Sequence, residues 1–145
     1  MYVGSCYMGT ATKPQVIRGY AQQELADVEF DTVVGTGLSG ALAAPVVALE
    51  FNADLLVIRK VNDSSHADRM EEGSLGRRWL FVDDFIETGA TFRRVHAHVE
   101  EVASKYKRPM EFAGAFLYDV EGGSRGFTDP NDVFSRTKMG KLVTA

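Results

Sequence analysis

The sequence predicts a single α/β domain with a central, mostly parallel sheet flanked by helices. Three observations carry this. Apolar runs of strand length alternate with stretches of helical periodicity, the pattern of parallel strands joined by right-handed crossovers. Two of the runs, Leu55 to Ile58 and Trp79 to Val82, are continuously apolar, as in strands covered on both faces. Glycine and polar residues gather directly after each run, where open parallel sheets bind their ligands.

The elements follow in order. Pro14 to Val28 predicts a helix, because Val16, Ile17, Tyr20, Leu25 and Val28 recur near helical spacing, with Thr12 as its cap. Phe30 to Val34 is a short β-rich run ending at Gly35. From about Ser39 to Phe51 the chain is Ala-rich and apolar nearly all round, a buried helix. The strands Leu55 to Ile58 and Trp79 to Val82 come next, separated by a polar stretch, Val61 to Arg78, with no periodicity. Such a stretch inside a compact domain reads as a flexible functional loop. Thr91 to Tyr106 is amphipathic, with Val95, Val99, Val102 and Tyr106 on one stripe and Pro109 just beyond its end. Phe112 to Tyr118 is the fourth core strand, and Ser124 to Ala145 is polar and irregular.

The 145 residues suit one domain, 1–145, with neither repeat nor linker. Hydrophobic residues make up 45% and charged residues 25%, an ordinary globular balance. The longest apolar run, Leu38 to Leu49, is too short to span a bilayer, so no membrane partner is expected. Met1 to Cys6 lacks the features of a signal peptide, and Cys6, the only cysteine, allows no internal disulfide. A reducing, cytoplasmic compartment is the expectation. The net charge of −4 argues against a broad nucleic-acid surface, but not against a small anion site. The basic doublets Arg59-Lys60 and Arg77-Arg78 read either as anion contacts or as solvated strand ends.

The third strand end is the most informative. Asp83 and Asp84 place two carboxylates side by side at the end of a buried strand. They repel, and need a cation, a metal or hydroxyl donors; ribose hydroxyls and Mg²⁺ both suit. Thr88-Gly89-Ala90-Thr91 then opens the amphipathic helix. Free N–H groups, a positive dipole end and two threonine hydroxyls make a phosphate cradle. Alone, this stretch would serve equally as a capping turn. Beside the acidic pair it fits a sugar phosphate.

Leu80-Phe81-Val82-Asp83-Asp84-Phe85-Ile86-Glu87-Thr88-Gly89-Ala90-Thr91 closely resembles the motif by which type I phosphoribosyltransferases bind 5-phosphoribosyl-1-pyrophosphate (PRPP). The resemblance extends over roughly Phe30 to Tyr118. It implies that Asp83 and Asp84 hold the ribose hydroxyls, and Mg²⁺ directly or through water. It implies that Glu87, Thr88, Gly89, Ala90 and Thr91 cradle the 5′-phosphate. Gly35-Thr36-Gly37-Leu38-Ser39-Gly40 lies where the family has its pyrophosphate loop, which assigns Thr36, Gly37, Leu38 and Ser39 to that group. Its glycines would expose N–H groups to an oxyanion. Arg59-Lys60 matches a doublet that approaches the pyrophosphate or organises the site in many members.

The base is left open. The loop after Arg59-Lys60 resembles that of orotate phosphoribosyltransferase, with His66 alignable to its histidine by a one-residue shift, but no lysine stands between Val61 and His66. His66 could stabilise the departing pyrophosphate, or merely be solvated. His96 and His98, on the amphipathic helix, read as exposed. Glu87 resembles instead the acid/base aspartate of 6-oxopurine enzymes. Those enzymes carry a lysine at the end of the following strand, where this chain has Tyr118-Asp119. The implied reaction is transfer of phosphoribose from PRPP to an orotate-like or 6-oxopurine base, with Mg²⁺, in a homodimer by resemblance. A regulator of the same fold that binds PRPP or nucleotides without turnover is the alternative. The base-reading hood is expected within 120–145, with Phe127 or Phe134 stacking on the ring or simply packing the tail onto the core.

Overall fold

The computed structural model describes residues 1–5, 8–60, 70–119 and 126–139. Helix α1 (Pro14–Glu24) leads into strand β1 (Thr32–Thr36), helix α2 (Gly37–Phe51) and strand β2 (Asp54–Ile58). Strand β3 (Glu71–Gly73), strand β4 (Arg78–Asp83), helix α3 (Ala90–Lys105) and strand β5 (Glu111–Leu117) follow, then strand β6 (Gly126–Thr128) and helix α4 (Pro130–Arg136).

The sheet has the order β3-β2-β1-β4-β5-β6. Its four central strands are parallel, and β3 and β6 are antiparallel edges. From β1 the chain crosses to β2 on one side and later reaches β4 on the other. The strand order therefore reverses between the ends of β1 and β4, the crevice where such sheets hold ligands.

Strand alternation sorts the core into two clusters. Val33, Leu80, Val82 and Phe116 join α1 and α2 on one face; Val34, Phe81, Ala115 and Leu117 join α3 and α4 on the other. Small residues let α2 lie very close to β1. A Cβ on Gly35 would stand 2.7 Å from the Gly40 carbonyl oxygen and 2.9 Å from the Ala44 Cβ. Contacts under 3 Å to backbone cannot be absorbed, so the sequence needs glycine there.

Several expectations require correction. Thr12 does not cap α1: its hydroxyl donates to the Met8 carbonyl at 3.0 Å, and Lys13 is the N-cap with Pro14 at the first helical position. Gly35 belongs to β1 and α2 starts at Gly37, so the expected glycine loop is a strand end and a first helical turn. Within the stretch expected as a loop, 71–73 form β3, and the Arg59 N–H donates to the Met70 carbonyl at 2.7 Å. The C-terminal stretch is not wholly irregular, since it forms β6 and α4. Asp129 caps α4, accepting from the Asp132 N–H at 3.0 Å. Phe134 is buried among Phe92, Phe112 and Val133. Phe127 packs on the first cluster, with its ring over Gly114, where an added Cβ would meet it at 2.5 Å. Both aromatics pack onto the core, Phe134 buried and Phe127 half-buried.

Candidate functional site

The ends of β1, β2 and β4 and the starts of α2 and α3 enclose a cleft of about 430 Å³. Thr36, Gly37, Ser39, Lys60, Asp83, Asp84, Glu87, Thr88, Gly89 and Thr91 all line it. Leu38 and Arg59 lie instead on a neighbouring, mostly apolar depression, with Ala41 and Val57. Ala90 does not line the cleft and can contribute only through its backbone. His66 lies outside the described residues.

Thr36 occupies the N-cap position of α2 but does not cap it. Its hydroxyl donates to the Ile58 carbonyl at 2.5 Å and accepts from Arg94 Nη2 at 3.1 Å. The first-turn N–H groups of Gly37, Leu38 and Ser39 therefore receive no side-chain cap. Gly37 has φ +67°, and Lys60 lies against it: a Cβ there would be 2.8 Å from Lys60 Cε and 3.2 Å from Nζ. An ammonium group beside an uncapped helix start makes a local positive field on an acidic chain.

The start of α3 is built differently. Gly89 takes φ +85° at the N-cap, and Thr88 Oγ1 accepts from the Ala90 N–H at 3.2 Å. That leaves the first-turn N–H groups of Thr91 and Phe92 facing the loop side of the helix. Both threonines are exposed, as is Glu87. Two helix starts thus converge on one cleft, and each is a natural seat for an anionic group.

The acidic pair stands between them. Asp83 is only 8% exposed; it accepts from Ser39 Oγ at 3.2 Å and from the Asp84 N–H at 2.9 Å. Asp84 is half-buried and accepts from the Phe85 N–H at 2.8 Å. Burial, then the Asp84 charge, push the Asp83 carboxyl up to about 7. A cation or hydroxyl donors brought to the pair would lower that cost. Tyr118, at the end of β5, donates to the Ser39 carbonyl at 3.2 Å. Burial, then the charges of Asp84 and Asp83, hold its phenol well above the ordinary range, so it stays a neutral donor. Ser39 therefore links the start of α2 to both β4 and β5.

Sequence reasoning missed Arg93 and Arg94 as parts of this region, and placed Tyr118 at the strand end without its bond to Ser39. The two helical histidines also differ from expectation. His96 is packed among Trp79, Phe92, Phe112 and Phe134, and burial lowers its pKa against the opposing charge of Glu100. His98 Nε2 lies 2.8 Å from Glu71 Oε2, tying α3 to β3.

Among the described residues, no three His, Cys, Asp or Glu side chains are grouped to hold a metal ion, and no helix is long and apolar enough to cross a membrane. A pair of carboxylates still fits Mg²⁺, which takes one or two from a protein and fills its shell with water and phosphate oxygens.

No family model matches the chain. It is 30% identical over 122 residues to an orotate phosphoribosyltransferase of Pyrococcus furiosus, covering 79% of this chain and 64% of that protein. It is 29% identical over 104 residues to the transcriptional regulator GfcR of Methanocaldococcus jannaschii, covering 66% of this chain and 49% of the regulator. The chain thus spans between about half and two thirds of the length of these curated relatives. The crystal structure of orotate phosphoribosyltransferase from Mycobacterium tuberculosis with inorganic phosphate superposes with a TM-score of 0.51 at 25% identity, covering 72% of this chain and 56% of that one. With its mixed sheet, its helices on both faces and its cleft at the point of strand reversal, the chain has a type I phosphoribosyltransferase-like fold.

Proposed function

We propose that the chain binds PRPP in this cleft and transfers its phosphoribosyl group to a nitrogenous base, releasing pyrophosphate. The observation that carries the reading is the convergence of two open helix starts on one acidic pair, Asp83 buried and Asp84 half-buried. Thr88 to Thr91 receive the 5′-phosphate on the N–H groups of α3. Asp84, with Asp83 behind it, receives the ribose hydroxyls. Gly37, Ser39 and Lys60 receive the pyrophosphate. Asp83 and Asp84 would hold Mg²⁺, which would supply charge neutralisation for the leaving diphosphate.

The protein's own share is positioning, charge and exclusion of water. The bond from C1 of the ribose to the diphosphate oxygen breaks, and a bond from C1 to a ring nitrogen forms. The proton leaving that nitrogen goes to Glu87, whose carboxylate is exposed on the cleft wall. A carboxylate on a phosphate loop is repelled by the phosphate, which favours turning it to the base side.

A second reading has its own support, since one relative is described as a transcriptional regulator. In that reading the cleft binds PRPP or a nucleotide and the chain does not turn over. The deciding experiment mixes the protein with PRPP, Mg²⁺ and a panel of pyrimidine and purine bases and measures pyrophosphate release. Release with at least one base supports the transferase. Tight PRPP binding by calorimetry with no release for any base supports the sensor. Neither binding nor release refutes both.

A further inference from the structure

The two anion-binding helix starts are braced by adjacent residues. Arg93 and Arg94 follow one another as the fourth and fifth residues of α3, and their side chains reach in different directions. Arg93 Nη1 donates to the Thr137 carbonyl at 2.5 Å and to the Thr88 carbonyl at 3.3 Å. Thr137 is fully buried beyond the last turn of α4, and its own hydroxyl is held by the Val133 carbonyl at 2.8 Å. Gly89 packs directly on it: a Cβ there would stand 2.7 Å from Thr137 Cα. The Thr88-Gly89 turn is thus held between α4 and one guanidinium.

Arg94 reaches the other loop. Its Nη2 donates to Thr36 Oγ1 at 3.1 Å and its Nη1 to the Arg59 carbonyl at 3.2 Å, spanning the ends of β1 and β2. This contact has a consequence for α2. Thr36 has the extended N-cap backbone, φ −144° and ψ 156°, and a threonine there ordinarily caps its own helix. Occupied by Arg94 and Ile58, its hydroxyl leaves the first-turn N–H groups open.

Arg93 closes the first turn of α3, at the end where the helix dipole disfavours a cation. A planar guanidinium holds its N–H groups in fixed directions, which the freely rotating ammonium of lysine does not. We infer that Arg93 and Arg94 are positioning residues that separately brace the two anion loops, Arg93 the 5′-phosphate turn and Arg94 the pyrophosphate turn. The inference rests on the PRPP reading of the cleft and adds to it a division of labour between two neighbours on one helix.

The test is a crossed binding experiment. Affinities for ribose 5-phosphate and for pyrophosphate, each with Mg²⁺, are measured by calorimetry for the unmodified protein and for Arg93→Gln and Arg94→Gln. Arg93→Gln should weaken ribose 5-phosphate about tenfold, the scale of one lost charge-assisted hydrogen bond, and leave pyrophosphate within about twofold. Arg94→Gln should give the reverse pattern. Arg93→Lys and Arg94→Lys, which keep the charge but lose the fork, should show smaller losses of the same ligand, and they carry the test if a glutamine variant does not fold. A merely structural role would move both ligands together, and an equal loss of both in any folded variant overturns the inference. Failure of the unmodified protein to bind either ligand refutes the PRPP reading itself, which is a different result.

Discussion

Replacing Asp83 by Asn should stabilise the free protein while damaging its site. Asp83 is buried at the end of β4 with Asp84 beside it, and its folded pKa of about 7 lies above the ordinary value of 3.8. A raised acid pKa means the folded state holds its proton longer than the unfolded chain does. This part of the stability is complete below about pH 4, and is lost progressively as pH rises to about 7. At about 1.4 kcal/mol per pKa unit, the loss is on the order of 4 kcal/mol. Asparagine does not ionise, and its Oδ1 can still accept from Ser39 and from the Asp84 N–H. The variant should therefore match the parent near pH 4 and exceed it at pH 8, by roughly 10 °C in Tm for a domain of this size. The assay is thermal unfolding of both proteins across that pH range without ligand. A Tm difference that stays flat with pH would refute the argument. Calorimetry on the same samples should show PRPP affinity falling in the stabilised variant.

Two further substitutions probe the frame. Gly89→Ala forces a side chain onto φ +85° and into the Thr137 backbone, so it should cost about 2–4 kcal/mol in urea unfolding; Gly37→Ala should cost less, because its close neighbour is the movable end of Lys60. Asp31 accepts from the N–H groups of Arg77 and Arg78 at 3.0 Å and from the Thr32 hydroxyl at 2.8 Å. Partial burial raises its pKa, but those hydrogen bonds and the Arg77 charge outweigh it and lower the value overall. Its contribution is present above about pH 4 and disappears as pH falls through the lower folded value. The stability gap between the parent and Asp31→Asn, read by chemical unfolding, should close at strongly acid pH.

The core of the fold was legible because it follows from periodicity. The strands at Leu55 and Trp79 are apolar on both faces, and the valine stripe of α3 marks its buried side. The acidic pair and Thr88 to Thr91 were legible for a related reason: short-range chemistry sits on consecutive residues. What escaped was assembled from distant ones. Nothing local to Thr36 says that its hydroxyl will turn to Ile58 rather than to its own helix. Arg93 and Arg94 left no local signal of their partners, since Thr137 and Thr36 lie 44 and 58 residues away from them. β3 is three residues long and is defined by its pairing with β2, not by any pattern of its own. Phe127 and Phe134 looked equally suited to a ligand and to the core; their places depend on Gly114 and on the aromatic cluster behind α4.

That cluster also makes the protein its own reporter. Trp79 is the only tryptophan in the chain, fully buried in β4 with its indole N–H unpartnered. It lies 4.6 Å from the ring of Phe112 and 6.0 Å from that of His96, which in turn touches Phe134 of α4. Its emission arises from a single environment at the seam of β4, α3 and α4. A shift toward longer wavelength would record water reaching that seam. Because Thr137, the residue just past α4, backs the Gly89 turn, the same optical signal follows the scaffold beneath the phosphate cradle, without a label and without altering a residue of the cleft.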